Sequence, residues 1–269
     1  MQEFLNTYFH GRVEQEFLQD GTYAIDCCVR CGGMWQREIL DDAAMERLYA
    51  HWIHSGDSKG GRWNQQRSLN FARHCARLLR LLPEPKTRLL LDYGMGWGDW
   101  CHMAQSFGFK VHGTELSQER IEYAQSIGLP ASLPGNLPPG PYDFIYLEQV
   151  LEHLPDPHAV IARLTMLLKP GGYIHIGVPN GATVASNAGN LPRLLKKGPA
   201  QPLEHINIFT HASLCRFLAS FGCHPASQRE GLIRAFPLRK FLSDVTLALA
   251  RHLPASMFPK NTSLLFQKR

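Results

Sequence analysis

The second half of the chain is organised by a repeating change of hydrophobic period. Residues 88–92 are a short apolar run, read as a buried strand, and residues 98–107 continue as a helix. The alternation goes on through a strand over 110–115, a helix over 117–127 with Ser117 as N-cap and Gly128 as its stop, and a short strand over 131–133. It resumes with a strand over 142–147, a helix over 157–168 ended by Lys169-Pro170-Gly171-Gly172, and a strand over 173–178 closed by Pro179. Ahead of this repeat, Met45, Leu48, Tyr49 and Trp52 recur at helical spacing behind Asp41 and Asp42, predicting a helix over 41–55. A glycine-rich break over 55–61 follows, then a helix over 64–82 stopped by Pro83. Residues 1–40 hold no sustained period and are expected to be an irregular lead-in. Beyond Pro179 the pattern predicts a lid-like connection within 181–209, a helix over 210–221 with Thr210 as N-cap, a strand over 223–230, an apolar-faced helix over 236–253 inside an insertion spanning 232–260, and a last strand over 263–267. Strands alternating with helices imply an α/β fold with a doubly wound sheet covered by helices on both faces.

Composition narrows the class. A chain of 269 residues suits one large domain with small additions. No apolar run reaches the roughly 18 residues of a membrane span, and Met1-Gln2-Glu3-Phe4-Leu5 lacks a signal-peptide pattern, so a soluble cytoplasmic protein is expected. Seven cysteines, an odd number, in a chain without an export signal read as reduced thiols. The net charge of +5 is concentrated late: residues 223–269 hold eight Lys or Arg against Glu230 and Asp244. Arg193, Lys196 and Lys197 form a second basic cluster in the connection. Either group could face an anionic ligand, a membrane surface or RNA, or be a solvated face.

Chemistry concentrates after the first strand of the repeat. Gly94, Gly96 and Gly98 follow Asp92 and open a helix, where missing Cβ atoms let the backbone turn and approach a ligand. The spacing is G-x-G-x-G. A dinucleotide fingerprint would require glycine where Asp99 stands, and an acid there opposes a pyrophosphate. Glu115 ends the second strand of the repeat, where a carboxylate can accept both hydroxyls of a ribose.

Leu91-Asp92-Tyr93-Gly94-Met95-Gly96-Trp97-Gly98 resembles the glycine motif of class I S-adenosylmethionine-dependent methyltransferases. Val111-His112-Gly113-Thr114-Glu115-Leu116-Ser117 resembles their second-strand motif. Tyr142-Asp143-Phe144-Ile145, with Val150-Leu151-Glu152-His153-Leu154-Pro155-Asp156-Pro157, resembles the fourth-strand region, and Leu168-Lys169-Pro170-Gly171-Gly172 the turn before the fifth. The resemblance covers residues 64–230 and the last strand. It implies a Rossmann-like sheet of seven strands, mostly parallel with an antiparallel last strand, occupying 63–269 behind an N-terminal extension (1–62) and carrying a helical cap. It also implies S-adenosylmethionine held by Asp92, Tyr93, Gly94, Gly96 and Gly98, ribose contacts from Glu115 beside Leu116, and methionine-side contacts from Glu148 and Gln149. The acid that such proteins often place after the third strand is absent, which leaves adenine to Ser132, Leu133 or backbone groups.

On the acceptor side, methyl transfer needs positioning and removal of a proton more than covalent help. His153 and His205 lie after the fourth and fifth strands and are the expected catalytic residues, with a His as general base. Related ubiquinone-pathway and small-RNA methyltransferases hold a divalent ion with an E-x-x-E-H run and a later His. The match here is Gln149, Glu152, His153 and His205, with Gln149 in place of the first acid, and no metal is the favoured expectation. Cys28-Val29-Arg30-Cys31-Gly32 resembles half of a zinc knuckle found ahead of some sugar methyltransferases; Cys27 and His10 are the remaining candidates, and a knuckle without zinc is favoured. The function expected is methylation of a small-molecule hydroxyl on a sugar-like or other anionic intermediate. RNA methylation and a catalytically inactive cofactor-binding partner are the alternatives. DNA is not an expected partner, and the apolar 236–253 helix, with Arg234, Arg239, Lys240 and Arg251 near it, is expected to cap the acceptor pocket or to rest on a membrane surface.

Overall fold

The computed structural model describes residues 2–18, 21–53, 64–187, 198–226 and 260–269. In chain order its elements are α1 (Gln2–Tyr8), β1 (Ile25–Cys27), β2 (Met34–Gln36), α2 (Asp42–Arg47), α3 (Gln65–Leu81), β3 (Leu89–Tyr93), α4 (Asp99–Ser106), β4 (Lys110–Thr114), α5 (Gln118–Ser126), β5 (Ala131–Ser132), β6 (Tyr142–Glu148), α6 (Pro157–Leu167), β7 (Leu168–Pro179), α7 (Ala182–Ser186), β8 (Asn207–Ile208), α8 (His211–Ala219), β9 (Cys223–Pro225) and β10 (Asn261–Lys268), joined by short helical turns. The predicted connection residues Arg193, Lys196 and Lys197, the 55–61 break, most of the 232–260 insertion and the end of the 223–230 strand lie outside the described residues.

Seven strands form one sheet in the order β5-β4-β3-β6-β7-β10-β9. The β3, β4, β5, β6 and β7 pairings are parallel, and β10 is antiparallel to both β7 and β9. This is the doubly wound sheet with an antiparallel last strand that the sequence implies. Strand β6 is buried along Tyr142–Leu147, as a parallel strand covered on both faces must be. Its alternate side chains feed two cores. Phe144 and Tyr146 join Leu90, Val111, Trp100 and Leu78 under α3, α4 and α5, while Ile145 and Leu147 join Leu91, Ile174, Ile176 and Leu214 under α6 and α8. The order reverses between β4-β3 and β6-β7, so the carboxyl ends of β3 and β6 border the crevice where such sheets bind ligands.

The opposite end of the sheet is pinned by one acid. Asp143, 3% exposed, accepts from the Lys169 Nζ at 2.7 Å, the Leu89 backbone N–H at 2.9 Å and Arg88 Nη1 at 3.1 Å. Burial pushes its carboxyl up, but Lys169, the Leu89 N–H and Arg88 outweigh burial and hold it below the ordinary value. Because of Lys169, the Lys169–Gly172 turn is not a simple helix stop: β7 begins at Leu168, opposite Tyr142, bulges, and resumes pairing with Tyr173 opposite Phe144.

Two expectations are corrected. The lead-in is not irregular: β1 and β2 form an antiparallel hairpin, and β2 pairs with β8 to make a second, three-stranded sheet. Its Met34 and Ile208 pack with Val184 and Ala200, while Leu5, Phe9, Val13, Leu48 and Trp52 form a separate buried cluster in which Trp52 Nε1 donates to Glu14 at 3.0 Å. Such short strands carry no readable alternation, because their partner β8 is about 170 residues away in sequence. Ser117 occupies the N-cap position of α5 but makes no side-chain cap bond; Glu115 instead accepts from the Leu116 and Ser117 N–H groups just ahead of the helix. The Asp41 and Thr210 caps follow expectation, Asp41 accepting from Ala44 N–H and Thr210 forming a reciprocal box with Ser213, and Asn64 caps α3 by accepting from Gln66 and Arg67. Among the described residues no helix is long and apolar enough to cross a membrane.

Replacing Asp143 by Ala strips three donors at once and leaves the Leu89 N–H buried without its acceptor. Urea unfolding should show a loss of about 2–3 kcal/mol, whereas a loss below about 0.5 kcal/mol would show that β3, β6 and β7 are held in register without it.

Candidate active site

The turn leaving β3 carries Gly94, Gly96 and Gly98, all at positive φ. A Cβ on Gly98 would meet Leu129 Cδ2 at 2.6 Å, whereas one on Gly96 would meet nothing within 4 Å, so the bare backbone of Gly96 borders open space. Its N–H donates to Glu115 Oε2 at 2.9 Å, and the N–H groups of Leu116 and Ser117 donate to Glu115 Oε1 at 2.9 and 3.2 Å. Glu115 thus ties the glycine turn to the start of α5. Each carboxylate oxygen accepts more than one bond, which leaves capacity for a ribose hydroxyl. Arg120 lies 3.5 Å from Glu115 and over the Trp97 ring.

Beneath the turn Asp92 is 3% exposed and accepts from the Cys101 thiol at 3.3 Å. Burial is the main reason its carboxyl is pushed up to about 7; the Cys101 bond opposes this and the charges of Glu115 and Glu148 add to it. Tyr93 is half-buried at the strand end. The hydroxyl of Ser132 pairs with His112 Nε2 at 2.9 Å, and its carbonyl accepts from Glu115 N–H, so both of its polar groups have protein partners. Leu116 (69% exposed) and Leu133 (40% exposed) offer apolar surface beside Glu115 and Ser132. Gln149 is exposed at φ 57 on the turn leaving β6. Glu148, at the last position of β6, is one-third exposed and turns back toward β7.

Glu152, His153 and His205 come together on the other side of the crevice, with one ligand atom from each within 4.8 Å of the others. Glu152 is 1% exposed, and neither carboxylate oxygen has a side-chain partner among the described residues. Burial raises its carboxyl to about 8, with the Glu148 charge adding to the effect. His153 Nδ1–H donates to the Glu204 carbonyl at 2.9 Å and His205 Nδ1–H to the Gly198 carbonyl at 2.6 Å, a tautomer that leaves each Nε2 unprotonated when the ring is neutral. The rings are 4.9 Å apart, edge to face, and His153 Nε2 is 3.9 Å from Glu152. Burial, then the neighbouring His205, lowers His153 to about 4.

The His205 segment is held from the N-terminal extension, by residues that no motif or spacing singles out. Gln36 Nε2 donates to the Gln201 and His205 carbonyls, both at 3.0 Å, and Gln36 N–H donates to Ile206. The Tyr23 hydroxyl donates to Ala200, and Tyr8 bonds the side chains of Gln201 and Glu204. Asn207 Nδ2 donates to the Leu154 carbonyl at 2.7 Å, fastening β8 to the turn that carries Glu152 and His153.

The cysteines sit elsewhere. Cys28 N–H donates to Gly33 and Gly32 N–H to Cys28, closing the β1–β2 turn, and Arg216 holds the Cys31 carbonyl at 2.8 Å. None of the seven cysteines is in a disulfide, and among the described residues Cys27, Cys28, Cys31 and His10 do not converge as a metal-ligating group.

A family model described as a methyltransferase domain matches residues 63–228. The chain belongs to this methyltransferase-domain family. Its seven-stranded sheet is the Rossmann-like fold of the class I members, whose methyl donor is S-adenosylmethionine. Within the family it is 30% identical over 151 residues to a ubiquinone biosynthesis O-methyltransferase of Xylella fastidiosa, covering 50% of this chain and 60% of that protein. It is 28% identical over 145 residues to the Albidiferax ferrireducens protein of the same description, covering 47% and 57%. The match thus spans somewhat over half the length of these relatives. Among solved structures it resembles a Burkholderia thailandensis 1,6-didemethyltoxoflavin-N1-methyltransferase with bound S-adenosylhomocysteine (17% identity, TM-score 0.53, 90% of this chain and 97% of that one). It also resembles magnesium protoporphyrin IX methyltransferase from Synechocystis (17%, TM-score 0.50, 83% and 92%). At that identity the likeness is one of fold.

Asp92 generates a pH prediction. Its folded value of about 7 lies above that of an unfolded Asp, so the stability it contributes is complete below about pH 4 and is lost as pH rises through 7. Asp92→Asn keeps an acceptor for Cys101 without the charge. Its unfolding free energy relative to the unsubstituted protein should rise by on the order of 2–3 kcal/mol between pH 5 and pH 8; a difference that stays constant with pH would show that Asp92 is not held up by burial.

Proposed function

We propose that the protein transfers the methyl group of S-adenosylmethionine to a hydroxyl oxygen of a small biosynthetic intermediate. The observation that carries this reading is the convergence of Glu152, His153 and His205 across the crevice from the glycine turn. The donor's nucleoside lies over β3 and β4, with Gly94, Gly96 and Gly98 against its backbone-facing side, Glu115 on the ribose, and Leu116 and Leu133 flanking the adenine. A sulfonium is a good leaving group and carries positive charge, and the acids around the turn suit a cation better than a phosphate. Gln149, on the exposed turn, stands beside the donor's methionine end. The acceptor enters between this turn and the His205 segment. Its hydroxyl reaches His153 and His205, the residues that would take its proton, with Glu152 behind them. The basic cluster Arg193, Lys196 and Lys197 suits an acceptor bearing carboxylate or phosphate. The relatives named ubiquinone biosynthesis O-methyltransferases agree with an oxygen acceptor.

A second reading of the same trio is favoured by one observation. Among the described residues the buried Glu152 carboxylate has no hydrogen-bond partner, which is costly for an acid that serves only as packing. Two imidazoles whose Nδ1–H groups are anchored on carbonyls, beside a carboxylate, form a donor set that fits a divalent cation. When bound, such an ion would lower the pKa of a hydroxyl it touches. In that case Glu152, His153 and His205 hold the ion, and the Gly198 and Glu204 carbonyls fix the imidazole orientation.

One set of assays separates the readings, with S-adenosylhomocysteine release measured against a panel of hydroxylated carboxylate and phosphate compounds. His205→Ala should reduce kcat at least 100-fold while donor affinity stays within about threefold. If a chelator abolishes turnover and Mg²⁺ or Mn²⁺ restores it, the trio is a cation site; if turnover is indifferent to the chelator, the histidines act alone. Unchanged turnover in His205→Ala contradicts both.

A further inference from the structure

The β1–β2 turn carries a pair of thiols that none of the roles above uses. Cys28-Val29-Arg30-Cys31 places two cysteines three residues apart, and the Gly32 N–H donates to the Cys28 carbonyl at 2.8 Å, so the chain between them makes one helical turn. Four residues in a turn keep their first and last Cα atoms within roughly 7 Å, and a disulfide needs roughly 4.4–6.8 Å. Residues three apart on a helical turn also share a face. The two sulfurs accordingly meet, and the Cys31 thiol hydrogen-bonds Cys28 Sγ. Backbone donors reach both of them. Cys28 Sγ accepts from the N–H groups of Cys31 and Arg30, and Cys31 Sγ accepts from the Gly33 N–H at 3.4 Å. The Cys31 and Arg30 N–H groups, then the Cys31 thiol, hold the Cys28 thiol below its ordinary value. Gly33 leaves room for this arrangement, because a Cβ there would lie 3.3 Å from Cys31 Sγ, and Gly32 at φ 71 lets the chain leave the turn for β2. The shape is pinned from outside by Arg216 Nη1, which donates to the Cys31 carbonyl at 2.8 Å. Val29 is fully exposed and both cysteines are partly exposed, so the pair is open to small reagents.

We propose that Cys28 and Cys31 are a dithiol site that a small disulfide of the glutathione class oxidises, reversibly, to an intramolecular disulfide. The Cys28 thiolate attacks one sulfur of the small disulfide, forming a mixed disulfide and releasing one thiol, which takes up the proton that Cys28 lost. The Cys31 sulfur then attacks Cys28 Sγ, breaks the mixed disulfide and releases the second thiol, which takes up the Cys31 proton. Two protein thiols are oxidised, and one small disulfide is reduced to two thiols. The order of attack follows from the donors. Cys28 Sγ receives two backbone N–H groups and the Cys31 thiol, so it carries the negative charge, and Cys31 stands beside it to displace the adduct. Donors that stabilise the reduced form also keep the disulfide easy to reduce, which makes the site reversible. A metal held on this turn would need further ligands, and among the described residues no third Cys, His, Asp or Glu converges with the pair. The closed bond staples the start of the hairpin whose second strand carries Gln36. The site stands apart from methyl transfer and does not rest on it.

Mass spectrometry of the full chain tests the site. The reduced protein is equilibrated with glutathione and glutathione disulfide at a series of ratios, and the remaining thiols are trapped with N-ethylmaleimide. As the ratio becomes more oxidising, Cys28 and Cys31 should escape trapping together. Their segment should lose the mass of two hydrogens and gain no glutathione, and dithiothreitol should return both thiols. Cys27 should stay trapped throughout, and in the reduced protein iodoacetamide should modify Cys28 about tenfold faster than Cys27. Cys31→Ser should hold one glutathione on Cys28 as a stable adduct, and Cys28→Ser should leave Cys31 reduced at ratios that oxidise the pair. Both thiols trapped at every ratio, a glutathione adduct that persists in the unsubstituted protein, or pairing of either cysteine with Cys27 would each overturn the assignment. So would one zinc ion per chain that blocks trapping until it is chelated.

Discussion

The structure depends on β6 being buried on both faces while both of its ends carry charge. Burial along Tyr142–Leu147 locks the strand between β3 and β7 and leaves its ends as the places where charge can be met. At the amino end Asp143 is surrounded by donors and fixes where β3 and β7 begin. At the carboxyl end the chain emerges with Glu148, Glu152 and His153, and among the described residues no Lys or Arg pairs with these acids. One end of the strand is therefore a structural clamp, and the other carries the polar groups of the proposed site.

The glycine turn and the acceptor trio are held by different parts of the molecule. Glu115 holds the turn through the Gly96 N–H, is itself fixed by the Leu116 and Ser117 N–H groups, and follows a strand of the same sheet. His205 belongs to a segment whose position is set by the N-terminal extension, through Gln36 and the β2–β8 pairing. The extension therefore belongs to the proposed site: it fixes His205, the residue proposed to meet the acceptor, which is the half of the reaction that differs among enzymes sharing one donor.

Legibility in the sequence followed the range of the interactions. Strands β3, β4, β6 and β7, the glycine turn and Glu115 were readable because each is set by local period and by residues within about 25 positions of one another. His153 and His205 could be paired only through the family resemblance, and the structure brings them into contact. Gln36, Tyr8 and the order in the lead-in were not readable, since they depend on two-residue and three-residue strands meeting across most of the chain. His74 and His175 were hidden for another reason. His175 sits in an apolar strand and His74 between Arg73 and Arg77 on a helix, and the two rings meet only once α3 is laid on the sheet. Ser117 takes the N-cap position as read, but its hydroxyl bonds none of the helix's N–H groups.

The methyl donor, and not a dinucleotide, is proposed to occupy the crevice above β3 and β6. Calorimetric titration of the unsubstituted protein with S-adenosylhomocysteine and, separately, with NAD tests it most directly. The predicted result is saturable one-to-one binding of S-adenosylhomocysteine and no heat with NAD. Binding of NAD, or no binding of S-adenosylhomocysteine, would contradict it.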